Sequence, residues 1–428
     1  MNLHESEKLA GMLKQAGYVA CETPEQAGII IYVTCCIREN AEQKVYGHLG
    51  ALKPYKMKNR DVIVAVGGCM TQQEGAAQKL HSTFPFVDII FGTHNLCEFM
   101  SLLEKKRNQK KKVIEITEKW SESECIPMAR NSYPNAWVNV IYGCNNFCTY
   151  CIVPYVRGRE KSRKIADVVS EVKELIAQGY KEITLLGQNV NSYGNDILGE
   201  EGAGDFADLL DAICEQVKGD YRLRFMSNHP KDLTERLVMA MARNKNVCHL
   251  IHLPLQSGSN KVLKEMNRRY TREQYLEKVA LIKKHMPDCA ISTDVMVGFP
   301  GESESDYEDT LDIMQRVNFS AAFMFVYSPR EGTPAAKRPD QIDAEISKAR
   351  IMKMVALQNA RTAEYSKTYE GKTIQILCED YDKKRDLYMG RDEYGRMGYF
   401  TSDKNEIGNF VNIKVGKTNG ISLYGEKI

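Results

Sequence analysis

The sequence predicts an α/β protein built from three successive parts. Through roughly the first 345 residues, short apolar runs typical of buried strands alternate with segments of helical periodicity. In about the last 60 residues, short strand-like segments follow one another between Gly, Asp and Asn. Together these patterns predict an amino-terminal doubly wound parallel sheet, a central partial (β/α)6 barrel and a small carboxy-terminal β-barrel. We place the three domains at residues 1–112, 130–360 and 366–428.

The amino-terminal part contains three apolar strand-like runs, at 29–33, 62–66 and 87–91. Segments with helical periodicity precede, separate and follow these runs. Strands that alternate with helices form parallel sheets, whose ligand sites gather at the carboxyl ends of the strands. The basic run at 105–112 is expected to be a solvated linker.

The central part repeats a strand–helix unit six times. Its predicted strands lie at 136–141, 182–186, 222–226, 248–253, 290–297 and 321–327. Six parallel strands wrapped by helices make three quarters of an eight-fold barrel, in which function lies at the strand carboxyl ends. Polar, glycine-bearing segments follow these strands, so we expect a polar cofactor over the mouth of the barrel.

The composition excludes some classes of protein. Of the 428 residues, 43% are hydrophobic and 27% are charged, and the net charge is +2. No apolar run approaches the roughly 18 residues of a membrane-spanning helix, and the first residues are no signal peptide, so we expect a cytoplasmic protein. Because the charge is nearly neutral, nucleic-acid binding would depend on local patches. The 13 cysteines, several closely spaced, favour metal ligation over disulfides.

The most informative pattern is C-x-x-x-C-x-x-C, formed by Cys144, Cys148 and Cys151 directly after the first barrel strand. Three thiolates at this spacing can hold one soft metal centre and leave a coordination position open. A structural zinc site needs four closed ligands, and no fourth Cys or His lies nearby in the sequence. A cubane iron–sulfur cluster bound by three cysteines keeps one iron free for a substrate or cofactor. The pattern therefore favours a cluster over a zinc knuckle. The basic segment that follows, 157–164, is expected either to be a solvated loop or to contact RNA phosphates.

Residues 142–160 resemble the cluster loop of the radical S-adenosylmethionine (SAM) enzymes, and among these the methylthiotransferases. The resemblance implies a [4Fe–4S] cluster whose open iron binds SAM and whose electron cleaves SAM to a 5′-deoxyadenosyl radical. Segments after later barrel strands resemble the same family. By this resemblance, SAM contacts are expected from Gln188, Asn189, Gln256, Ser257 and Asp294.

Two further cysteines, Cys35 and Cys69, follow predicted strands of the amino-terminal sheet. From the residues alone, each is equally well explained as a buried core thiol. Their surroundings resemble the methylthiotransferase amino-terminal domain, in which three cysteines hold an auxiliary cluster that takes part in sulfur delivery. In that family the first of the three lies just upstream of a Met-Asn pair, here Met1-Asn2, so that ligand and its strand are expected to be missing from this chain. A start assigned at an internal methionine, a truncation or a true loss of the ligand would each account for this. Cys36 is not expected to replace it, because adjacent thiolates point apart in most backbones.

The carboxy-terminal part is expected to bind RNA. Its predicted strands lie at 373–379, 387–391, 397–400, 410–415 and 421–424. Small β-barrels of this kind often bind single-stranded or looped RNA. The segments 371–373 and 422–426 resemble the TRAM domain, an RNA-binding module.

The family resemblance extends over essentially the whole chain. It implies an enzyme with two [4Fe–4S] clusters that adds a methylthio group to C2 of N6-isopentenyladenosine beside the anticodon of tRNA. It also implies the tRNA anticodon stem-loop as a partner, a flavodoxin or ferredoxin as electron donor, a monomer and no membrane. Two siblings remain open, acting on threonylcarbamoyladenosine in tRNA or on an aspartate of a ribosomal protein; segments 227–231 and 327–334 favour the isopentenyl branch. A third alternative is an RNA-binding homologue that cleaves SAM without a complete auxiliary cluster.

Overall fold

The computed structural model describes residues 2–36, 39–120 and 128–428. The chain forms two compact units. The amino-terminal unit comprises Met1–Asn131, Gly143–Asn145 and Cys151–Arg159, and the barrel unit comprises Ser132–Tyr142, Asn146–Tyr150 and Glu160–Ile428. Within the described ranges, no helix combines the length and the apolar character needed to cross a membrane.

The amino-terminal unit is built on a parallel sheet with the strand order β1–β2–β3–β4. In chain order its elements are α1 (Asn2–Gln15), β1 (Ile29–Thr34), α2 (Glu39–Lys58), β2 (Ile63–Gly68), α3 (Ala76–Thr83), β3 (Ile89–Phe91), α4 (Phe99–Gln109) and β4 (Val113–Glu115).

Helices cover both faces of this sheet. One apolar cluster includes Leu49 of α2, and the other includes Leu9 of α1. Successive residues of a strand point to opposite faces, so β2 contributes Val64 to the first cluster and Ala65 to the second. Burial on both sides explains the unbroken apolar run at 62–66, and the predicted doubly wound sheet is confirmed.

The basic run at 105–112 is largely exposed, as predicted, but it is not a linker between domains. α4 extends into it and β4 follows directly. Lys106 Nζ lies 2.9 Å from Asp88 Oδ1, and Lys105 Nζ lies 2.8 Å from Glu115 Oε2. β4 is an edge strand of three residues with a single buried residue. So short a strand has no apolar pattern that the sequence could have revealed.

The barrel unit contains the six predicted parallel strands, and the predicted barrel-like fold is confirmed. β5–β8–β9 and β10–β11–β12 form two parallel sheets, which a parallel bridge between Leu223 and Val247 connects. In chain order the elements of this region, with α5 belonging to the amino-terminal unit, are β5 (Asn135–Asn139), β6 (Ile141–Tyr142), α5 (Val153–Arg157), β7 (Lys161–Ser162), α6 (Ile165–Ala177), β8 (Glu182–Leu186), α7 (Phe206–Gln216), β9 (Arg222–Phe225), α8 (Glu235–Arg243), β10 (Leu250–His252), α9 (Asn260–Glu265), α10 (Arg272–His285), β11 (Ala290–Val297), α11 (Glu304–Val317) and β12 (Ala321–Val326).

Helix starts in this unit follow local sequence signals. Capping boxes at Asp205, Thr271 and Ser303 begin α7, α10 and α11, because each side chain bonds the exposed N–H groups of its first turn. The short helix α9 was not predicted. It begins at Ser259, whose hydroxyl accepts the N–H of Val262.

The carboxy-terminal strands close into the predicted small barrel, in the order β13–β14–β15–β17–β16. They follow the long helix α12 (Ala344–Lys367) and are β13 (Thr373–Asp382), β14 (Leu387–Asp392), β15 (Met397–Phe400), β16 (Phe410–Asn419) and β17 (Ser422–Lys427). Two arginines of β9 hold this barrel. Arg222 Nη1 donates to the carbonyl oxygen of Arg391, and Arg224 Nη1 donates to that of Glu393, both at 2.7 Å.

Candidate iron–sulfur centre

The loop that carries Cys144 begins at a position that only glycine suits. Gly143 has φ +71°, and a Cβ atom there would lie 2.0 Å from the carbonyl oxygen of Arg159. Cys144 donates its backbone N–H to the carbonyl oxygen of Gly158 at 3.2 Å. The chain just before Cys144 is therefore held against the chain that follows Cys151, within the amino-terminal unit.

The residues after Cys151 form part of the amino-terminal core. Ile152 and Val156 belong to the same apolar cluster as Cys36 and Cys69. The backbone is anchored as well, since the Thr93 hydroxyl donates to the carbonyl oxygen of Val156 at 2.6 Å. The segment that follows Cys151 thus packs around Cys69.

Cys148 is buried in the barrel unit, next to the end of α9. Its neighbour Phe147 has φ +48°, and the Asn267 side-chain amide donates to the carbonyl oxygen of Phe147 at 3.0 Å. On the other side, Thr149 donates its N–H to the carbonyl oxygen of Met266 at 3.1 Å. These bonds fix the backbone on both sides of the thiol.

A buried cation lies beside Cys148. Arg268 is only 4% exposed, and its Nη1 lies 3.4 Å from Cys148 Sγ. Nη2 donates to the carbonyl oxygen of Pro254 at 2.9 Å, and the other bonds reach the phenolic oxygens of Tyr150 and Tyr270. In the part of the chain that the structure describes, none of these bonds goes to a carboxylate. Because a buried charge without a counter-charge is costly, this position suits a negatively charged group.

The charge requirement fits an iron–sulfur cluster. Among the described residues, no three His, Cys, Asp or Glu side chains are grouped as a site for a single metal ion. A cubane cluster does not need its ligands to converge on one ion, because each of the three thiolates binds a different iron. The thiol of Cys148, next to a guanidinium that lacks a carboxylate, is suited to bind as an anionic thiolate in such a cluster.

A second buried guanidinium lies beside Cys69. Arg157 Nε donates to Cys69 Sγ at 3.1 Å, Nη1 donates to Glu5 Oε1 at 2.6 Å, and Nη2 lies 3.3 Å from Asn2 Oδ1. The hydrogen bond with Cys36 and the charge of Arg157 outweigh burial and hold the pKa of the Cys69 thiol below its usual value. Arg157 is 3% exposed, so the expectation of a solvated or RNA-contacting side chain is wrong for this residue.

Cys35 and Cys69 directly follow β1 and β2, whose pairing runs to Thr34 and Gly68. Cys69 donates its N–H to the carbonyl oxygen of Thr34 at 3.1 Å, so the two strand ends are close. Cys35 is half-buried, whereas Cys36 is fully buried. The hydrogen bond with Cys69, and then burial, raise the pKa of Cys36. Cys36, whose thiol is hydrogen-bonded to Cys69, is thus the cysteine that was not expected from the sequence to be a ligand.

Four of the five residues predicted to contact SAM follow barrel strands, whereas Asp294 lies within β11. Gln188 and Asn189 follow β8 after Gly187, and Asn189 Nδ2 donates to Asp232 Oδ2 at 2.7 Å. The other amide atom, Asn189 Oδ1, is buried without a partner among the described residues, and it therefore offers an acceptor to a ligand.

Gln256, in the segment after β10, is hydrogen-bonded to Asp294 within β11. Gln256, with φ +67°, donates its N–H to the carbonyl oxygen of Asp294 at 2.8 Å. Asp294 Oδ2 lies 3.5 Å from His252 Nε2. Ser257 is fully buried with its hydroxyl 3.3 Å from Thr310 Oγ1, so in this structure it supports the loop.

The sequence singled out none of the charged residues that surround the thiols. Glu5 and Arg157 are 152 positions apart, and no local pattern pairs residues at that separation. Arg268 is followed by Arg269, which is exposed, and the sequence does not tell the two apart. Arg268 lies 120 positions from Cys148, so no local pattern in the sequence links it to the cysteine loop.

The barrel and its cysteine loop define the class of protein. Residues 138–314 match the Radical SAM superfamily, residues 1–92 match the Uncharacterized protein family UPF0004, and residues 367–428 match the TRAM domain. Among solved structures, the cobalamin-dependent S-adenosylmethionine radical enzyme OxsB with aqua-cobalamin and S-adenosylmethionine bound shares the fold. The TM-score is 0.53 at 14% identity, over 82% of this chain and 53% of that chain.

Relatives are similar along the whole chain. The tRNA-2-methylthio-N(6)-dimethylallyladenosine synthase of Clostridium botulinum (strain Langeland) is 50% identical over 100% of this chain and 95% of its own length. The synthase of the same name from Clostridium tetani is 48% identical over 100% of this chain and 94% of its own length. The chain belongs to the tRNA-2-methylthio-N(6)-dimethylallyladenosine synthase family of radical SAM enzymes.

Proposed function

We propose that this chain is a radical-SAM methylthiotransferase that adds a methylthio group to C2 of N6-isopentenyladenosine next to the anticodon of tRNA. The observation that carries the proposal is the 50% identity, along the whole chain, to a synthase named for that nucleoside. The pairing of Cys148 with a buried arginine supports it, because that pairing suits an anionic cluster at the predicted site.

We assign Cys144, Cys148 and Cys151 as the ligands of the SAM-binding [4Fe–4S] cluster. When bound, this cluster supplies an open iron for SAM and the electron that cleaves SAM to a 5′-deoxyadenosyl radical. The buried acceptor Asn189 Oδ1, which has no partner among the described residues, supports polar recognition of SAM beyond the end of β8. The proposed SAM contacts are Gln188, Asn189, Gln256, Ser257 and Asp294.

We further propose that Cys35 and Cys69 hold an auxiliary [4Fe–4S] cluster in a domain spanning residues 1–112. Both cysteines follow neighbouring parallel strands, where ligand sites of such sheets gather. Arg157 beside Cys69 supports a thiolate at that position, since a guanidinium bonded to sulfur favours the charged form.

The tRNA anticodon stem-loop is the proposed partner of the domain at 366–428, which follows the barrel domain at 130–360. The Tyr399 and Tyr424 rings stack with centroids 5.0 Å apart, and the exposed Arg385 lies 5.1 Å above the Tyr399 ring. Tyr399 is buried, but Tyr424 is partly exposed, so Tyr424 and Arg385 offer an aromatic and a basic group of the kind that bind unpaired nucleotides. With tRNA as substrate, we infer a cytoplasmic monomer that receives electrons from a flavodoxin or ferredoxin.

Mass spectrometry of tRNA nucleosides from a strain that lacks the gene tests the proposal. We expect loss of 2-methylthio-N6-isopentenyladenosine and accumulation of N6-isopentenyladenosine. The parent gene should restore the product, whereas a Cys148→Ala gene should not. Loss of the methylthio group from threonylcarbamoyladenosine, or from a ribosomal aspartate, would instead identify a sibling activity.

Iron and sulfide analysis of anaerobically reconstituted protein tests the second cluster. About eight irons per chain correspond to two [4Fe–4S] clusters, and about four correspond to one. A count near four, together with unchanged tRNA in the deletion strain, would favour the RNA-binding homologue that cleaves SAM unproductively.

A further inference from the structure

We propose that Arg268 is a positioning residue that raises the reduction potential of the cluster bound by Cys148. The inference rests on the proposed function, because it takes Cys148 to be a cluster ligand. It adds a role for a residue that contributes no ligand atom.

Arg268 carries a buried positive charge with no carboxylate bonded to it in the described part of the chain. It is almost completely buried, and its bonds go to Cys148 Sγ, one carbonyl oxygen and two phenolic oxygens. Within the described ranges none of these bonds goes to a carboxylate, and a buried charge without an opposite charge nearby is costly. An anionic cluster bound at Cys148 would supply that opposite charge.

The charge of Arg268 would stabilise the reduced form of a cluster bound at Cys148. Reduction adds one electron from an external reductant and no proton, so the reduced cluster carries one more negative charge. Hydrogen bonds to ligand sulfurs stabilise that extra charge and raise the potential. A full positive charge 3.4 Å from the sulfur acts in the same direction, and more strongly in a buried site than in water.

Arg268 also links two segments of the barrel unit. Arg268 Nη2 donates to Pro254, two residues before Gln256, while Nη1 reaches the Tyr150 hydroxyl at 3.5 Å. One side chain thus ties the stretch around Cys148 to the barrel segment that carries a proposed SAM contact. The planar fork of arginine allows these simultaneous bonds, which a lysine cannot make.

The test is a potentiometric titration followed by electron paramagnetic resonance. Arg268→Gln and Arg268→Lys are compared with the parent and with Arg269→Gln, all in a Cys35→Ala/Cys69→Ala background that leaves one cluster. For Arg268→Gln we expect the reduction potential of the cluster to be lower by about 59 mV, which makes one-electron reduction about tenfold less favourable. The reduction potential of Arg268→Lys should lie between those of the parent and Arg268→Gln, because lysine keeps the positive charge but cannot make all the hydrogen bonds of the guanidinium. Arg269→Gln should match the parent, because Arg269 is exposed to solvent.

Iron analysis of each protein separates the possible failures. If the parent binds no cluster that requires Cys148, the proposed function itself is wrong. If Arg268→Gln binds the parent's amount of iron and has the parent's potential, the role of Arg268 is wrong and the proposed function stands. If Arg268→Gln does not fold, Arg268→Met, which also removes the charge, takes its place, and a parental potential there overturns the proposal.

Discussion

Arg157 and Arg268 form the same contact in two different units, and their surroundings differ in one respect. Each guanidinium is buried against a cysteine sulfur, at 3.1 Å from Cys69 and 3.4 Å from Cys148. Arg157 also bonds the Glu5 carboxylate, whereas the described bonds of Arg268 include no carboxylate. The charge of Arg157 is thus balanced by the fold itself, whereas that of Arg268 requires an anionic thiolate or cluster.

The difference separates a structural element from a functional one. The Glu5–Arg157 pair joins α1 to α5, so it holds the segment after Cys151 against the amino-terminal sheet. Arg268 joins the segment around Cys148 to the stretch from Pro254 to Tyr270, and its described bonds include no carboxylate as counter-charge. We therefore expect changes at the Arg157 site to affect folding first and changes at the Arg268 site to affect chemistry first.

The largest contrast is expected between Cys148→Ala and Cys69→Ala. Supplied with SAM and dithionite, Cys148→Ala should form no 5′-deoxyadenosine above background, because the cluster that reduces SAM loses a ligand. Cys69→Ala should still form it but should give no methylthiolated tRNA. Cys21→Ala, at an exposed position, is the matched control and should retain both products. Parental 5′-deoxyadenosine formation by Cys148→Ala would show that Cys148 is not a ligand.

The sequence predicted the thiols of this comparison but not the arginines, for a physical reason. Three cysteines in eight residues form a local pattern, and local spacing determines what a short loop can chelate. The charge that surrounds each thiol comes from distant parts of the chain. Arg268 reaches Cys148 across 120 positions, and Arg157 reaches Cys69 across 88. Contacts of that range depend on the complete fold.

The elements of the fold that the sequence predicted are those with a local apolar pattern. Strands buried on both faces, such as β2 at Ile63–Gly68, were placed within two residues because burial dictates their composition. The edge strand β4 and the short helix α9 were missed, because so few buried residues leave no periodicity to read. Arg157 was misjudged since a basic residue in a predicted loop is usually solvated.

The next largest effect is expected from Glu5→Gln, which removes the carboxylate that distinguishes the two arginines. The variant leaves Arg157 buried without its counter-ion, and breaking a buried pair in this way costs about 3–5 kcal/mol of folding free energy. Urea unfolding of the cluster-free protein measures the loss.

Glu115→Gln is the matched control in the same unit, since it breaks the exposed pair with Lys105 and should cost only about 0–1 kcal/mol. Equal stabilities of Glu5→Gln and Glu115→Gln would mean that Arg157 does not depend on Glu5. The contrast between the two arginines would then disappear.

The smallest effect is a difference in acid sensitivity, because each arginine has a buried histidine nearby. Burial, and then the charge of Arg268, hold the pKa of His229 far below its usual value. Burial also lowers the pKa of His94, but its bond to the carbonyl oxygen of Thr117 opposes the shift. A histidine whose folded pKa is lowered stays neutral in the folded protein while the unfolded chain takes up a proton below about pH 6.5. Stability is therefore lost as the pH falls below that value, by about 1.4 kcal/mol per pH unit for His229.

Between pH 7 and pH 5 this loss amounts to about 2 kcal/mol for His229. His229→Gln should remove it, and His94→Gln should remove less because the pKa of His94 is shifted less. Urea unfolding of the cluster-free proteins at the two pH values measures both differences. A His229→Gln variant as acid-sensitive as the parent would show that His229 is protonated in the folded protein. The folded protein would then hold a protonated His229 near Arg268. In that event the site around Cys148 would not require an anion.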